Sequence, residues 1–235
     1  LTDKSKIVSV QEIFNPESPE STEFRRILHN LAKSKKGGDK QAILITSATL
    51  SEGKSLTSAF LAMTSATYKN DKTLLIDLDL RRPTIHTLFG LKRETGVAEI
   101  ILNGLVPKNA VKPTSIEKLD ILTAGKFVPS VSELVRGPHI HRIIEEMKFY
   151  YEAIFIDSPP LIPVIDTLVF LEECDSVLLV IKAGATQKAV INRARDLLTS
   201  QNGKLVGVIM NNMKKTLPYY YNHNYYGYHY KSSDK

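Results

Sequence analysis

One stretch of this 235-residue chain has the residue types needed to hold phosphate: Ile43-Leu44-Ile45-Thr46-Ser47-Ala48-Thr49-Leu50-Ser51-Glu52-Gly53-Lys54-Ser55. It follows the phosphate-loop pattern G-x-x-x-x-G-K-[ST], except that Ala48 replaces the first glycine. In such a loop, backbone amides at a helix N-terminus point at phosphate oxygens. The lysine neutralises the β- and γ-phosphates, and the serine hydroxyl is a hard ligand for Mg2+. Lys54 and Ser55 supply these groups, with Ser51, Glu52, Gly53 and Leu56 completing the cofactor-binding turn. An apolar strand precedes the loop and an apolar-periodic helix follows it, which favours a nucleotide site over a lysine-bearing turn.

A nucleotide site needs carboxylates for its metal and for the attacking group. Two apolar runs end in them: Leu74-Leu75-Ile76-Asp77-Leu78-Asp79-Leu80-Arg81-Arg82-Pro83, and Ile154-Phe155-Ile156-Asp157-Ser158-Pro159-Pro160. Strand alternation puts Asp77 and Asp79 on one face, with Arg81 in register if the chain stays extended. In open α/β sheets ligands sit outside the carboxyl ends of strands, where both acidic ends would lie beside the loop. A solvated strand end is the ordinary reading of one Asp alone; three beside a phosphate loop read as a metal and proton-handling site.

The elements that must position these groups alternate along the chain. Apolar runs predict strands at Ala42–Ser47, Thr73–Leu78, Leu119–Thr123, Ala153–Asp157, Val177–Ile181 and Leu205–Met210. Helical spacing predicts helices at Glu20–Lys35, Lys54–Tyr68, Val97–Asn103, Pro138–Tyr151, Thr167–Glu173 and Gln187–Gln201. Continuous Ile/Leu/Val strands separated by helices indicate a doubly wound, mostly parallel α/β sheet covered on both faces. Residues 1–19, ending in Asn15-Pro16-Glu17-Ser18-Pro19, read as a linker or juxtamembrane segment, 20–215 as the folded domain and 216–235 as a tail.

Composition agrees with an ordinary globular domain: 43% hydrophobic and 24% charged residues exclude a disordered, collagenous or disulfide-rich chain. The net charge of +6 suits an anionic ligand such as a nucleotide, or a membrane's inner face, and nothing favours nucleic acid. Cys174, the single cysteine, permits no internal disulfide and reads as a small buried residue. The greasy region Leu161–Ile181 is broken by Asp166, Glu172, Glu173 and Asp175, so no run approaches the ~20 apolar residues of a membrane helix. The chain starts at Leu1 without a signal-peptide layout, and an upstream membrane segment stays open. No histidine has partners at structural-metal spacing.

The loop, the apolar-Asp-x-Asp-x-Arg run and the apolar-Asp-Ser-Pro run resemble the Walker A, A′ and B motifs of bacterial tyrosine kinases. These enzymes are associated with capsule and exopolysaccharide synthesis. Leu122-Thr123-Ala124-Gly125, Pro129-Ser130-Val131-Ser132-Glu133-Leu134 and a terminal tyrosine cluster support the resemblance over roughly residues 20–230. It implies a P-loop fold of the ParA and MinD class, unrelated to eukaryotic kinases. It further implies ATP and Mg2+ held by Gly53, Lys54 and Ser55, with magnesium at Asp77, Asp79 and Asp157. One of Asp77 and Asp79 would accept the tyrosine proton, Arg81 would lie near the γ-phosphate, and Asn211 would contact adenine. The implied partners are a transmembrane activator or polysaccharide co-polymerase (fused or separate), a cognate tyrosine phosphatase and further copies in a ring, at the cytoplasmic face of the membrane. The family's ring-forming Glu-x-x-Arg-x-x-Arg motif is matched only in part, by Glu23 and Arg26 followed by His29, or by Arg25 flanked by Thr22 and Leu28.

Seven of the ten tyrosines, Tyr219, Tyr220, Tyr221, Tyr225, Tyr226, Tyr228 and Tyr230, fall in the last 17 residues. That segment has neither helical nor strand period, which reads as an accessible phosphoacceptor tail. Two other functions compete with an autophosphorylating kinase. A ParA- or MinD-like switch ATPase generally carries a further lysine early in the loop, where this chain has Thr49, Leu50, Ser51 and Glu52. An inactive homologue is opposed by the intact Lys54, Asp77, Asp79 and Asp157.

Overall fold

The structure is a computed structural model that describes residues 9–33, 40–200 and 204–212. The tail tyrosines therefore lie outside the described residues. Among the described residues seven strands form one sheet: β1 (Gln41–Ser47), β2 (Thr73–Asp77), β3 (Lys112–Pro113), β4 (Leu119–Leu122), β5 (Ala153–Asp157), β6 (Ser176–Lys182) and β7 (Leu205–Asn211). Their order is β3-β4-β2-β5-β1-β6-β7, parallel throughout except for β3, which pairs antiparallel with β4 at the edge. Parallel neighbours need long crossovers, and helices supply them. The α-helices of the described residues are α1 (Val10–Ile13) and α2 (Pro19–Lys33), which precede β1, then α3 (Lys54–Thr64), α4 (Ile85–Leu88), α5 (Val97–Asn103), α6 (Pro107–Ala110), α7 (Val131–Leu134), α8 (His139–Lys148), α9 (Asp166–Glu172) and α10 (Lys188–Ser200).

Whereas the edge strand β7 leaves Val206, Val208 and Met210 exposed, the central strands are buried from both sides, which is why they read as unbroken apolar runs. Strand alternation divides them between two cores. Ala42, Leu44, Ile76, Ile154, Ile156 and Leu179 pack under α5, α7, α8, α9 and α10. Ile43, Ile45, Leu75, Phe155 and Val180 pack under α2, α3 and α4.

Besides β3, α4, α6 and α7, which the sequence expectation lacks, α1 and the end of α3 depart from it. Residues 9–14, inside the segment expected to be a linker, are docked on the domain. Val10 is buried beside Leu28 and Leu31. Ser9 Oγ donates to Leu88 O, Gln11 Nε2 to Phe89 O, and Ser115 N to Gln11 Oε1 at 2.9 Å. A four-residue turn has no period to read, and its hydrogen-bond partners are 78 to 104 residues away. The helix expected over Lys54–Tyr68 is α-helical only to Thr64 and widens into a π-helical turn at Ser65–Lys69, closed by Asn70 at φ 61°. In α2, Arg25 bonds Glu17 and the Pro16 carbonyl and lies over the Tyr68 ring, so this arginine of the partial motif is engaged within its own chain.

Candidate active site

The neighbours β2, β5 and β1 bring the loop and the acids together at one edge. Asp77 and Asp157 are register partners across β2 and β5, and Asp157 also lies alongside Ile45 of β1. The phosphate loop leaves β1 after Ser47 and turns into α3. Gly53, at φ +92°, is the last residue before α3, and the Asn211 amide stands 2.0 Å from where a Cβ would be. The backbone angle favours glycine there, and a Cβ would push the Asn211 amide off its bond to the Glu52 carbonyl. Ser51 also takes a positive φ of 60°.

The loop shape is fixed from inside. The buried Glu52 carboxylate accepts the Thr49 N–H at 2.6 Å and the Thr186 hydroxyl. Asn211 Nδ2 donates to the Glu52 carbonyl at 2.9 Å, so the ends of β6 and β7 are clamped to the loop. Leu161 N and Ile162 N, on the segment after β5, donate to the Ser47 and Ala48 carbonyls. The side chain of Leu56 is exposed on the first turn of α3 and carries no polar group, so a hydrogen bond from this residue to a nucleotide would come from its backbone.

Lys54 lies among the three acids. Its Nζ is 2.8 Å from Asp79 Oδ2, 3.9 Å from Asp157 Oδ2 and 3.2 Å from Ser55 Oγ. Burial alone would lower the lysine's pKa, but the charges of Asp157 and Asp79 outweigh it and raise it. Asp77 is fully buried and accepts Asp79 N and Ile85 N, both at 3.1 Å. Burial, and next the charge on Asp157, push it well above the usual carboxylate range. Burial likewise pushes Asp157 up to about 6, against the pull of Lys54 and the Ser55 and Ser58 hydroxyls. Ser58 Oγ sits 3.3 Å from Asp157 Oδ1, whereas Asp157 Oδ2 is buried without a hydrogen-bond partner.

The extended register does not continue to Arg81. Leu78 N still makes the next ladder rung to the Asp157 carbonyl, and the chain then bends at Arg81 and Arg82, where Arg82 N bonds Asp79 Oδ1. Arg81 instead donates from Nε to Asp166 Oδ2 at 2.8 Å and from its NH2 group to Ser132 Oγ at 2.6 Å. Sequence reasoning missed Ser58, Thr186, Ser132 and Asp166. Ser58 lies one helical turn beyond Lys54, Ser132 stands in a stretch quoted only for the resemblance, and Asp166 stands out only as a charge in an apolar stretch.

A divalent cation fits this donor set. Among the described residues no group of three or more His, Cys, Asp or Glu forms a ready-made metal centre. Mg2+ needs none, because it takes one or two carboxylates and completes its shell with water and substrate phosphates. The Oδ2 of Asp157 is buried with no hydrogen bond and only a 3.9 Å ion pair to Lys54, so it has room to accept a cation.

Comparison with known proteins agrees with this geometry. The ParA family model, described as the NUBPL iron-transfer P-loop NTPase, matches residues 39–233. The chain's one cysteine is buried in the core, so what carries over from that description is the P-loop fold. The putative tyrosine-protein kinase CapB of Staphylococcus aureus is 36% identical over 226 residues, which cover 95% of this chain and 97% of that one. The crystal structure of the chimerical protein CapA2B2 superposes with a TM-score of 0.78 at 32% identity, covering 83% of this chain and 86% of that one. The kinase domain of Escherichia coli tyrosine kinase ETK shares the fold with a TM-score of 0.81 at 24% identity, covering 94% and 88%. A phosphate loop facing three strand-end carboxylates, on a fold shared over nearly the whole length of these relatives, places the chain in the bacterial tyrosine-kinase family of ParA-type P-loop NTPases.

Proposed function

We propose that the chain is an ATP- and Mg2+-dependent protein-tyrosine kinase that phosphorylates tyrosines of its own C-terminal tail, with transfer onto a neighbouring copy. The observation that carries this is Lys54 held between Asp79 and Asp157, with Asp77 buried beside Asp157. Phosphoryl transfer passes through a loose transition state that needs placement and charge neutralisation more than covalent help. The tyrosine oxygen forms a bond to the γ-phosphorus as the bridge to the β-phosphate breaks, and ADP leaves. A tyrosine hydroxyl has a pKa near ~10, so its proton needs an acceptor as the bond forms, and a carboxylate of Asp77 or Asp79 takes it. Mg2+ would be held by Ser55, Asp157 and the Asp77–Asp79 pair, and would supply charge neutralisation at the β- and γ-oxygens. Asn211, already clamped to the loop, would face the base.

In this reading residues 20–215 are the catalytic unit and 216–235 the substrate tail. Membrane placement through a transmembrane activator, removal of phosphate by a tyrosine phosphatase, a ring of copies and control of capsular or exopolysaccharide synthesis follow from the family resemblance. Among the described residues no helix is long and apolar enough to cross a membrane.

The test mixes a Lys54→Met chain with a tail-deleted wild-type chain in Mg2+-ATP and maps phosphotyrosine by mass. Lys54→Met alone should lose activity by about three orders of magnitude or more. In the mixture its tail should be labelled at a rate that rises with the concentration of the active chain. Near-normal phosphotyrosine on Lys54→Met alone would remove the site assignment. An unlabelled tail in the mixture would remove transfer between copies.

A further inference from the structure

Three loops at the carboxyl edge of the sheet meet at one buried carboxylate outside the Lys54 cluster. Asp166, the first residue of α9, is 2% exposed. Its Oδ2 accepts Arg81 Nε at 2.8 Å and lies 2.8 Å from Arg81 NH2. Ser132, in α7 after β4, closes a three-membered ring: its Oγ accepts from Arg81 NH2 at 2.6 Å and lies 3.3 Å from Asp166 Oδ1. The arginine comes from the chain just past β2, two residues beyond the Asp79 that pairs with Lys54. The lead-in to α9 is tied to the phosphate loop through Leu161 N to Ser47 O at 2.8 Å. Thr167 Oγ1 and Thr46 Oγ1 both donate to the Pro159 carbonyl, which fixes the start of α9 against β1.

These contacts use one edge of the guanidinium. Nε–H and the NH2 protons face Asp166 and Ser132, while the two NH1 protons make none of the ring's bonds and the side chain keeps 41% of its surface exposed. Burying a carboxylate costs free energy unless it is paired, and here the pairing immobilises an arginine whose NH1 nitrogen keeps its two donors for an anion. A charge fixed before the reaction starts needs no reorganisation when a transferring phosphate develops negative charge.

We propose that Asp166, supported by Ser132, is a positioning residue that holds Arg81 by its Nε–NH2 edge so that the NH1 edge receives a γ-phosphate oxygen of the bound nucleotide. The assignment rests on the proposed kinase reading for its catalytic consequence, but its effect on nucleotide preference does not require transfer to occur. The group recognised is a terminal phosphate, so the node should distinguish a triphosphate from a diphosphate.

The test compares the wild-type chain with Asp166→Asn, Arg81→Ala and the double variant. Two quantities are read with Mg2+: affinity for a non-hydrolysable ATP analogue relative to ADP, and kcat with KM for ATP. In Asp166→Asn, kcat should fall about ten- to a hundredfold, as expected when a reacting group is misplaced. Analogue affinity should fall while ADP affinity stays as in wild type, and Arg81→Ala should leave Asp166→Asn nothing further to remove. Wild-type kcat and analogue preference in Asp166→Asn would overturn the proposal. So would equal loss of analogue and ADP affinity, the mark of a plain structural brace, or undiminished loss in the Arg81→Ala background. If no variant and no wild-type chain transfers phosphate, the kinase reading fails and the analogue-to-ADP ratio alone decides this one. If Asp166→Asn does not fold, Ser132→Ala is read by the same outcomes, with Ser132→Thr expected to restore what Ser132→Ala loses.

Discussion

Two lysines in this molecule each sit between carboxylates, and their settings differ in one respect. Lys148, at the end of α8, lies 3.0 Å from Glu145 and 3.2 Å from Asp175, with side chains 20%, 49% and 36% exposed. Lys54 lies 2.8 Å from Asp79 and 3.9 Å from Asp157, whose side chains are 6% and 0% exposed. Burial alone would lower both lysines' pKa, and in both the neighbouring acids reverse the sign and raise it. Water screens the first cluster and relieves its unmatched charge. The second holds three acids against one lysine whose side chain is itself only 12% exposed, where solvent screens little, an arrangement that costs stability in the absence of a bound cation. A costly charge cluster at the carboxyl edge of an α/β sheet is what a functional site looks like; a screened one on a helix end is a surface ion pair.

The largest expected contrast lies within the buried cluster. Asp79→Asn removes the carboxylate that holds Lys54 and caps Arg82 N, and Asp77→Asn removes the one that anchors Asp79 N and Ile85 N. Each should cut tyrosine phosphorylation about a hundredfold or more, the range lost with a general acid–base group. Nucleotide binding measured without Mg2+ should change far less. Equal losses in metal-free binding and in turnover would mean a folding defect and would erase the difference drawn between the two clusters.

Next in size is the pH dependence of Asp157. Its folded pKa is raised to about 6 from an ordinary value of 3.8. A raised folded pKa contributes stability that is present below the unfolded value and lost as pH rises through the folded one. Asp157→Asn removes this loss. The variant should therefore gain on the wild type between about pH 4 and pH 7, by on the order of 1–3 kcal/mol in nucleotide-free denaturant unfolding. A bound cation should reverse the order, since it stabilises the ionised acid that only the wild type has. A stability difference independent of pH would show that Asp157 is not held out of its ordinary range.

The parts of this site that could be read from the sequence are those whose geometry is local. Gly53, Lys54 and Ser55 are set by one turn, and Asp77 and Asp157 by the period of strands whose burial makes them apolar up to their last residue. The ends of β1, β2 and β5 were legible for the same reason. Asp166 was legible only as a charge interrupting an apolar stretch, because its partner Arg81 is 85 residues away. Thr186 reaches Glu52 across 134 residues, and nothing in either neighbourhood announces the other. The four-residue helices α4, α6 and α7 are too short to show a period, although α7 carries Ser132 into the Arg81 ring.

The smallest expected effect belongs to the surface cluster. Lys148→Met keeps the apolar stem and removes the charge shared by Glu145 and Asp175. Asp175 keeps a second anchor, because its Oδ2 accepts the Ala42 N–H at 2.8 Å at the start of β1. The carboxylates left behind are open to water and to screening, so the loss should be up to about 1 kcal/mol and should shrink as salt is raised. Tyrosine phosphorylation and nucleotide affinity should stay at wild-type values, because β1 carries its loop at the opposite end from Ala42. Denaturant unfolding at low and high salt, run beside the transfer assay, measures both. A salt-independent loss of several kcal/mol would show that exposure does not separate the two lysines. The difference between them would then have to come from the phosphate loop alone.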